Sequence, residues 1–258
     1  MTQSKATLCR ATMNYFGGGS VDVDVRDGRA ADLPGWEECG FELMSFPSVV
    51  EDWHSEAEIQ SAHYPEAAAL AKRLTGCDRA VVAGHIVRSA EEARRHPDYA
   101  PITLVHSDFA DSYGDKIRAF HREGADGDEF IAQASRVMIL QFWRNLGPAK
   151  MDMPLAFCDA RTVPRDQIRP FPVTNYAGGG FDFDALGFDA PADWSAHAWY
   201  SFPEMEPEEA VALRTYDSDR VADGRPYWTP HSAFRDPEVD LGRPGRTSIE
   251  VRVTCAFA

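Results

Sequence analysis

Two stretches of this chain alternate strictly between apolar and polar residues. They are Val21-Asp-Val-Asp-Val25, just after the Gly17-Gly18-Gly19 break, and Ser248-Ile-Glu-Val-Arg-Val-Thr-Cys255 near the end. A period of two sends successive side chains to opposite faces of an extended strand and cannot build the apolar stripe of a helix. Further strands are predicted where apolar and β-branched residues run between turn formers, at residues 41–50, 79–87, 102–106, 136–144, 154–158, 196–202 and 210–216. The run at 136–144 is almost continuously apolar, as in a strand buried on both faces, and far too short to span a bilayer. Helices are expected between. Ser55 is placed to cap one, Pro65 opens a second that runs to Leu74 with Gly76 as its stop, and residues 115–123 and 128–134 carry two more. Many short strands with the helices gathered in one part of the chain favour a double-sheet jelly roll over βαβ repeats, and no Gly-rich phosphate loop follows a strand.

The segment from 170 to 192 is rich in Gly, Pro, Phe and Asp around Gly178-Gly179-Gly180 and reads as a long functional loop. Asn14-Tyr-Phe-Gly-Gly-Gly19 echoes Asn175-Tyr-Ala-Gly-Gly-Gly180, with no longer repeat around either.

Asp and Glu number 41 against 26 Lys and Arg, a net charge of −15. With no basic face, phosphate-neutralising contact with nucleic acid and docking on anionic lipid are both disfavoured. The first ten residues lack the apolar core of a signal peptide. Five cysteines, widely spaced and without C-x-x-C, argue against a disulfide framework or structural zinc, and a reducing cytoplasm is the expected compartment.

Mononuclear non-haem iron is held by two His and one carboxylate, often as H-x-D/E with a distant second His. Four such tripeptides occur: His54-Ser-Glu56, His96-Pro-Asp98, His106-Ser-Asp108 and His121-Arg-Glu123. Residues i and i+2 share a face in a strand and diverge in a helix. His54 and His121 lie at or in helical stretches, and His96 in a polar turn. Only His106 ends an apolar strand, Ile102-Thr-Leu-Val-His106. The plain alternative for His106 is a core-edge histidine bonded to Asp108. For the second imidazole the candidates are His197, set between Trp194 and Trp199 where packing explains it, and His231 in Tyr227-Trp-Thr-Pro-His231. Beyond His231, Arg246 and Ser248 fall on one face of the last strand. A guanidinium fork beside a hydroxyl suits one carboxylate of a diacid; the alternative is a surface Arg246 paired with Glu250 or Asp240.

Over roughly residues 40–257 the chain resembles the Fe(II)/2-oxoglutarate-dependent hydroxylase/desaturases of secondary metabolism, which include the small cephamycin 7-methoxylation protein, a gibberellin desaturase and fungal tailoring enzymes. The likeness is carried by Gly40-Phe-Glu-Leu with Pro47-Ser-Val-Val50, His85-Ile-Val-Arg88, Val105-His-Ser-Asp108, Phe142-Trp-Arg144 and Pro154-Leu-Ala-Phe-Cys-Asp159. It continues through Trp199-Tyr-Ser-Phe-Pro203, Tyr216-Asp-Ser218, Pro230-His-Ser-Ala-Phe234 and Arg246-Thr-Ser-Ile-Glu-Val-Arg252. Asn145 stands where a proline is common, and residues 171–192 are idiosyncratic against the family pattern.

The resemblance implies a mostly β fold with flanking helices, a double-stranded β-helix (cupin-like jelly roll). It implies one domain over 1–258, with a helical insert at about 55–135 and the Gly/aromatic loop at about 171–192. It implies that His106, Asp108 and His231 ligate Fe(II) and that Arg246 and Ser248 hold the far carboxylate of 2-oxoglutarate. Arg88, Trp143, Arg144 and Tyr216 fall in shared motifs, touching cosubstrate or substrate or supporting the barrel. The implied reaction uses O2 and 2-oxoglutarate to hydroxylate or desaturate a small molecule, releasing succinate and CO2; a carboxylate at Asp108 argues against a halogenase. The competing reading is a non-redox metal protein on the same barrel, a zinc hydrolase or cupin-like binding module. A homodimer or a partner protein is left open. The aromatics of 171–192 on their glycines are expected to form a mobile cover over an apolar ligand.

Overall fold

The computed structural model describes residues 7–124, 127–240 and 245–258; the first residues of the expected leaderless start lie outside these. In chain order the strands are β1 (Thr7–Asn14), β2 (Ser20–Asp27), β3 (Phe41–Ser45), β4 (Arg79–Arg88), β5 (His106–Ser107), β6 (Arg136–Asn145) and β7 (Leu155–Cys158). They continue as β8 (Ile168–Val173), β9 (Phe183–Phe188), β10 (Trp199–Ser201), β11 (Glu209–Asp217), β12 (His231–Ala233) and β13 (Ser248–Phe257). One sheet runs β1-β2-β10-β7-β12-β5-β9-β8 and the other β3-β11-β6-β13-β4. Side chains of both sheets share one core, with Val23 of β2 and Leu186 of β9 in the same cluster as Val137 and Ile139 of β6. This is the mostly β jelly-roll core expected from the strand tally.

The apolar run at 136–144 is buried on both faces as predicted. Val137 and Ile139 face the core between the sheets, while Met138, Leu140 and Phe142 face outward under Ala67, Leu70 and Ala71 of helix α1 (Tyr64–Thr75). Ser55 Oγ accepts from the Glu58 N–H at 3.3 Å, and Gly76, at φ 69°, ends α1 in the left-handed conformation that glycine adopts without a Cβ clash. Helix α2 (Tyr113–Glu123) lies against β11 through Gly114, where a Cβ would sit 2.5 Å from the Tyr216 hydroxyl. Helix α3 is short (Glu129–Gln133), capped by Asp128.

Several sequence expectations change. A strand, β1, precedes the glycine break and pairs antiparallel with β2. The strand at 102–106 shrinks to β5, preceded by an isolated bridge between Asn14 and Leu104. Strand 41–50 stops at Ser45, just before Phe46-Pro47, where proline supplies no ladder N–H. Part of the expected loop at 171–192, residues 171–173 and 183–188, belongs to an antiparallel hairpin: β8 pairs β9 from Ile168↔Phe188 to Val173↔Phe183. Only the tip, 174–182, and the segment after Phe188 lack strand structure. Alternate polar and proline positions on an edge strand hide this from pattern reading. Both Asn-Tyr-x-Gly-Gly-Gly segments close hairpins, the first between β1 and β2, the second between β8 and β9. Among the described residues no helix is long and apolar enough to cross a membrane.

Candidate active site

β5 and β12 are neighbours in the larger sheet, and their register sets His106 opposite His231. The two rings therefore stand 4.3 Å apart, centroid to centroid. Asp108 follows β5 by one residue and points to the same side. His106 Nε2 and His231 Nε2 lie 3.6 and 3.8 Å from Asp108 Oδ1, beyond hydrogen-bond reach. His106 is therefore not the core-edge histidine bonded to Asp108. One ligand atom from each residue falls within 4.8 Å of the other two, and all three residues are buried.

The outer atoms of the set are fixed. His106 Nδ1 donates to the Leu104 carbonyl at 2.7 Å and His231 Nδ1 to the Thr229 carbonyl at 3.0 Å. With the proton on Nδ1, each Nε2 lone pair is turned toward the gap, as in metal-ligating histidines. Burial, and then the neighbouring His231, push His106 down to about 4, so its imidazole is neutral near pH 7. Burial pushes the Asp108 carboxyl up, but Arg252, His231 and His106 outweigh it and hold the group below the usual carboxylate range. Two imidazoles and one carboxylate are a donor set suited to a divalent first-row metal.

Gln141, on β6 of the facing sheet, completes the arrangement. Its amide donates to Asp108 Oδ2 and, at 3.1 Å, to Thr215 Oγ1. The sequence carried one sign of it: Gln141 is the lone polar residue inside an apolar run.

Arg246 is 4 % exposed. Its Nε donates to Ser248 Oγ at 2.9 Å, its Nη1 to the Met153 carbonyl at 3.3 Å, and its guanidinium lies 5.1 Å from the Trp143 ring centroid. No carboxylate pairs with it among the described residues, and Glu250 is engaged by Arg252 and Arg88 instead. Burial, then the charge of Arg88, pull the Arg246 guanidinium down to about 9. A buried cation short of counter-charge is the complement of a carboxylate ligand. The surface alternative for Arg246 is thus not what the fold produces.

The remaining motif residues separate. Trp143 stacks beside Arg246, and its indole N–H has no partner among the described residues. Arg88 is tied to the carbonyls of Asp98 and Ala100 and donates to the Tyr176 hydroxyl at 2.8 Å. Arg144 points to the outer face, between Phe46 and Trp53 at 5.0 and 5.1 Å, and binds the carbonyls of Pro207 and Phe46. It braces the barrel from outside and does not meet the ligand cluster. Tyr216 donates to the Asp111 carbonyl at 3.2 Å and supports Tyr113 edge-on at 5.8 Å. His197 is occupied on both ring nitrogens, by Tyr15 at 2.9 Å and Gln167 at 2.7 Å. His54, His96 and His121 join no cluster of three possible ligands among the described residues.

Sequence reading missed Gln141 and the stacking of Phe109 on Tyr113, which belong to no recognisable spacing, and it gave no site role to Glu250 and Arg252, which alternation sets on one face of β13 and which pair there.

A family model described as "Oxidoreductase/YMDC permease-like domain" matches residues 4–256. The hydroxylase/desaturase CTB9 of Cercospora beticola is 28 % identical over 230 residues, covering 83 % of this chain and 69 % of that protein. The alpha-ketoglutarate-dependent dioxygenase phiK of a fungal species is 27 % identical over 242 residues, covering 91 % and 83 %. The solved structure of the iron and alpha-ketoglutarate-dependent endoperoxidase NvfI superposes with a TM-score of 0.79 at 22 % identity, over 97 % of this chain and 98 % of that one, and so shares the fold. By the family match over nearly its whole length and by these relatives, the chain belongs to the oxidoreductase family of the Fe(II)/2-oxoglutarate-dependent hydroxylase/desaturases.

Proposed function

We propose that His106, Asp108 and His231 hold Fe(II), that Arg246 with Ser248 receives the far carboxylate of 2-oxoglutarate, and that the whole chain acts as one oxygenase domain. The enzyme is an Fe(II)- and 2-oxoglutarate-dependent dioxygenase that hydroxylates or desaturates a small organic molecule. The observation that carries the ligand assignment is the pair of Nδ1–H donors spent on backbone carbonyls, which leaves both Nε2 lone pairs facing Asp108. When bound, the metal with 2-oxoglutarate and O2 supplies the oxidant, with succinate and CO2 as coproducts. The chain's own part is orientation and exclusion of water. Gln141 steers Asp108, the Trp143 face flanks the Arg246 guanidinium, and the tip of the β8–β9 hairpin lines a cavity that begins at Phe109, the residue after Asp108. Tyr176, Phe181 and Phe183 of that hairpin supply aromatic surface there. A zinc hydrolase or binding module would have no use for a buried, carboxylate-free Arg246. All five cysteines are free, which suits a reducing cytoplasm.

The test is anaerobic addition of Fe(II) followed by 2-oxoglutarate. A visible charge-transfer band in the wild type, absent in His106→Ala and His231→Ala, is expected. No band, together with tight zinc binding, overturns the reading.

A further inference from the structure

A cavity of about 580 Å³ reaches the candidate ligands through Phe109, the residue after Asp108, and is lined by none of the three ligands themselves. Most of its wall is apolar. Phe109, the residue after Asp108, stacks on Tyr113 of α2 at 3.7 Å, and Phe183 of β9 leans on Phe109 at 5.5 Å. Val81 of β4 also lines it. Two polar side chains of β13 interrupt this wall, Arg252 and Thr254, two residues apart and so on one face. Neither the Arg252 Nε donor nor the Thr254 Oγ1 hydroxyl has a hydrogen-bond partner among the described residues. Buried polar groups are nearly always paired; both orphan atoms are closed off from solvent, so a ligand atom pairs with them once the two side chains turn into the cavity they line.

The charges point to its sign. Glu250 is shared by Arg252, at 2.5 Å, and Arg88, at 3.7 Å. Two guanidiniums thus divide one carboxylate, and Asp108 is reserved for the metal. A positive charge is left over under an aromatic roof, and Tyr176 closes the far side with its ring 5.5 Å from the Arg252 guanidinium.

We infer that this cavity takes an apolar, ring-bearing small molecule with one anionic oxygen, a carboxylate or phenolate, held by Arg252 and hydrogen-bonded by Thr254. The inference rests on the dioxygenase reading in one respect only: the molecule held there is the substrate. The uncharged analogue of such a molecule fills the same apolar wall but leaves Arg252 and Thr254 unpaired, so discrimination comes from the floor and not from the roof.

The probes are anilinonaphthalene sulfonate, an aromatic anion, and neutral N-phenylnaphthylamine, both read by fluorescence on the whole protein. The wild type should bind the anion more tightly. Arg252→Gln should lose about tenfold in anion affinity, the scale of one hydrogen bond to a charged group, while the neutral probe is unchanged. Arg252→Lys should keep most of the preference, and Thr254→Val should lose about two- to fivefold, the scale of one neutral hydrogen bond. Arg95→Gln, at an exposed arginine with its side chain 67 % accessible, should change nothing. If Arg252→Gln does not fold by circular dichroism, Arg252→Lys and Thr254→Val decide. Equal anion and neutral affinity in the wild type, or a preference indifferent to Arg252 and Thr254, overturns the inference. The Fe(II)/2-oxoglutarate band is recorded on the same samples. Its absence with an intact anion preference sinks the metal reading and leaves the cavity assignment standing; its presence without the preference does the reverse.

Discussion

Replacing Gln141 by leucine removes the one side chain among the described residues that reaches across from the smaller sheet to hydrogen-bond Asp108. The Asp108 carboxylate has two oxygens with different work. Oδ1 faces both imidazoles, and Oδ2 accepts from the Gln141 amide. An isobutyl group would fill similar volume but donate nothing, leaving a buried carboxylate oxygen bare and Thr215 Oγ1 without the amide that now reaches it at 3.1 Å. An unsatisfied buried acceptor costs about 1–3 kcal/mol. At about 1.4 kcal/mol per decade, that is roughly five- to 150-fold in any equilibrium that needs the carboxylate correctly aimed. Loss of an outer partner of a metal ligand costs about 10–100-fold in metal affinity, the same range reached independently. The expected outcome for Gln141→Leu is therefore a weakening of Fe(II) or Co(II) binding by about 30-fold, read by anaerobic titration against a chelating indicator, with the fold intact by circular dichroism. Gln141→Glu should be worse, because a second carboxylate would face Asp108 with like charge. A folded Gln141→Leu protein that binds metal as the wild type does would refute the claim that Oδ2 is held for this purpose.

Arg246→Ala should raise the 2-oxoglutarate requirement by the equivalent of about 2–5 kcal/mol while metal affinity is unchanged, because the cosubstrate carboxylate loses its buried partner. Arg246→Lys should rescue poorly, since one ammonium cannot copy the fork; cosubstrate titration of the charge-transfer band measures both. His54→Ala, His96→Ala and His121→Ala should each bind metal normally and His106→Ala should not, as judged by the same chelator competition. Burial against Phe46 and Trp53 lowers His63 from 6.5 to about 4 despite Glu66 at its side. The unfolded chain therefore takes up a proton there that the folded one refuses, so stability falls as pH drops from 6.5 toward 4 and levels off below. The slope of Tm against pH in that window should flatten in His63→Gln, and an unchanged slope would count against the assignment.

The parts of this fold that could be read in advance are those where one physical rule dominates. Alternation marked β2 and β13, and continuous burial marked β6, because the pattern of each strand is set by what lies on its two faces. Ser55 and Gly76 announced their helix ends through local chemistry alone. The candidate ligands were separable from three similar tripeptides because only His106 ended an apolar strand. What escaped depends on contacts between distant segments. β1 and β8 are edge strands whose exposed positions carry no apolar period. Gln141 looks like a defect in an apolar strand until the facing sheet brings Asp108 to it. Arg144 shares a motif with Trp143, yet adjacent residues of a strand face opposite ways, and only the register of β6 tells which one turns inward.

The pairing of His106 with His231 across β5 and β12 makes the inter-strand spacing the ruler that sets the distance between the two imidazoles. A ruler of this kind tolerates no slippage. One residue inserted or removed between Ile102 and His106, or between Tyr227 and His231, would rotate an imidazole to the opposite face of the sheet. The hairpin tip at 174–182 is under no such constraint, since its length alters no strand pairing at the ligands. Lineages descended from such a scaffold are thus free to lengthen, shorten and rewrite the rim of the cavity while the segments around the two histidines keep their length to the residue.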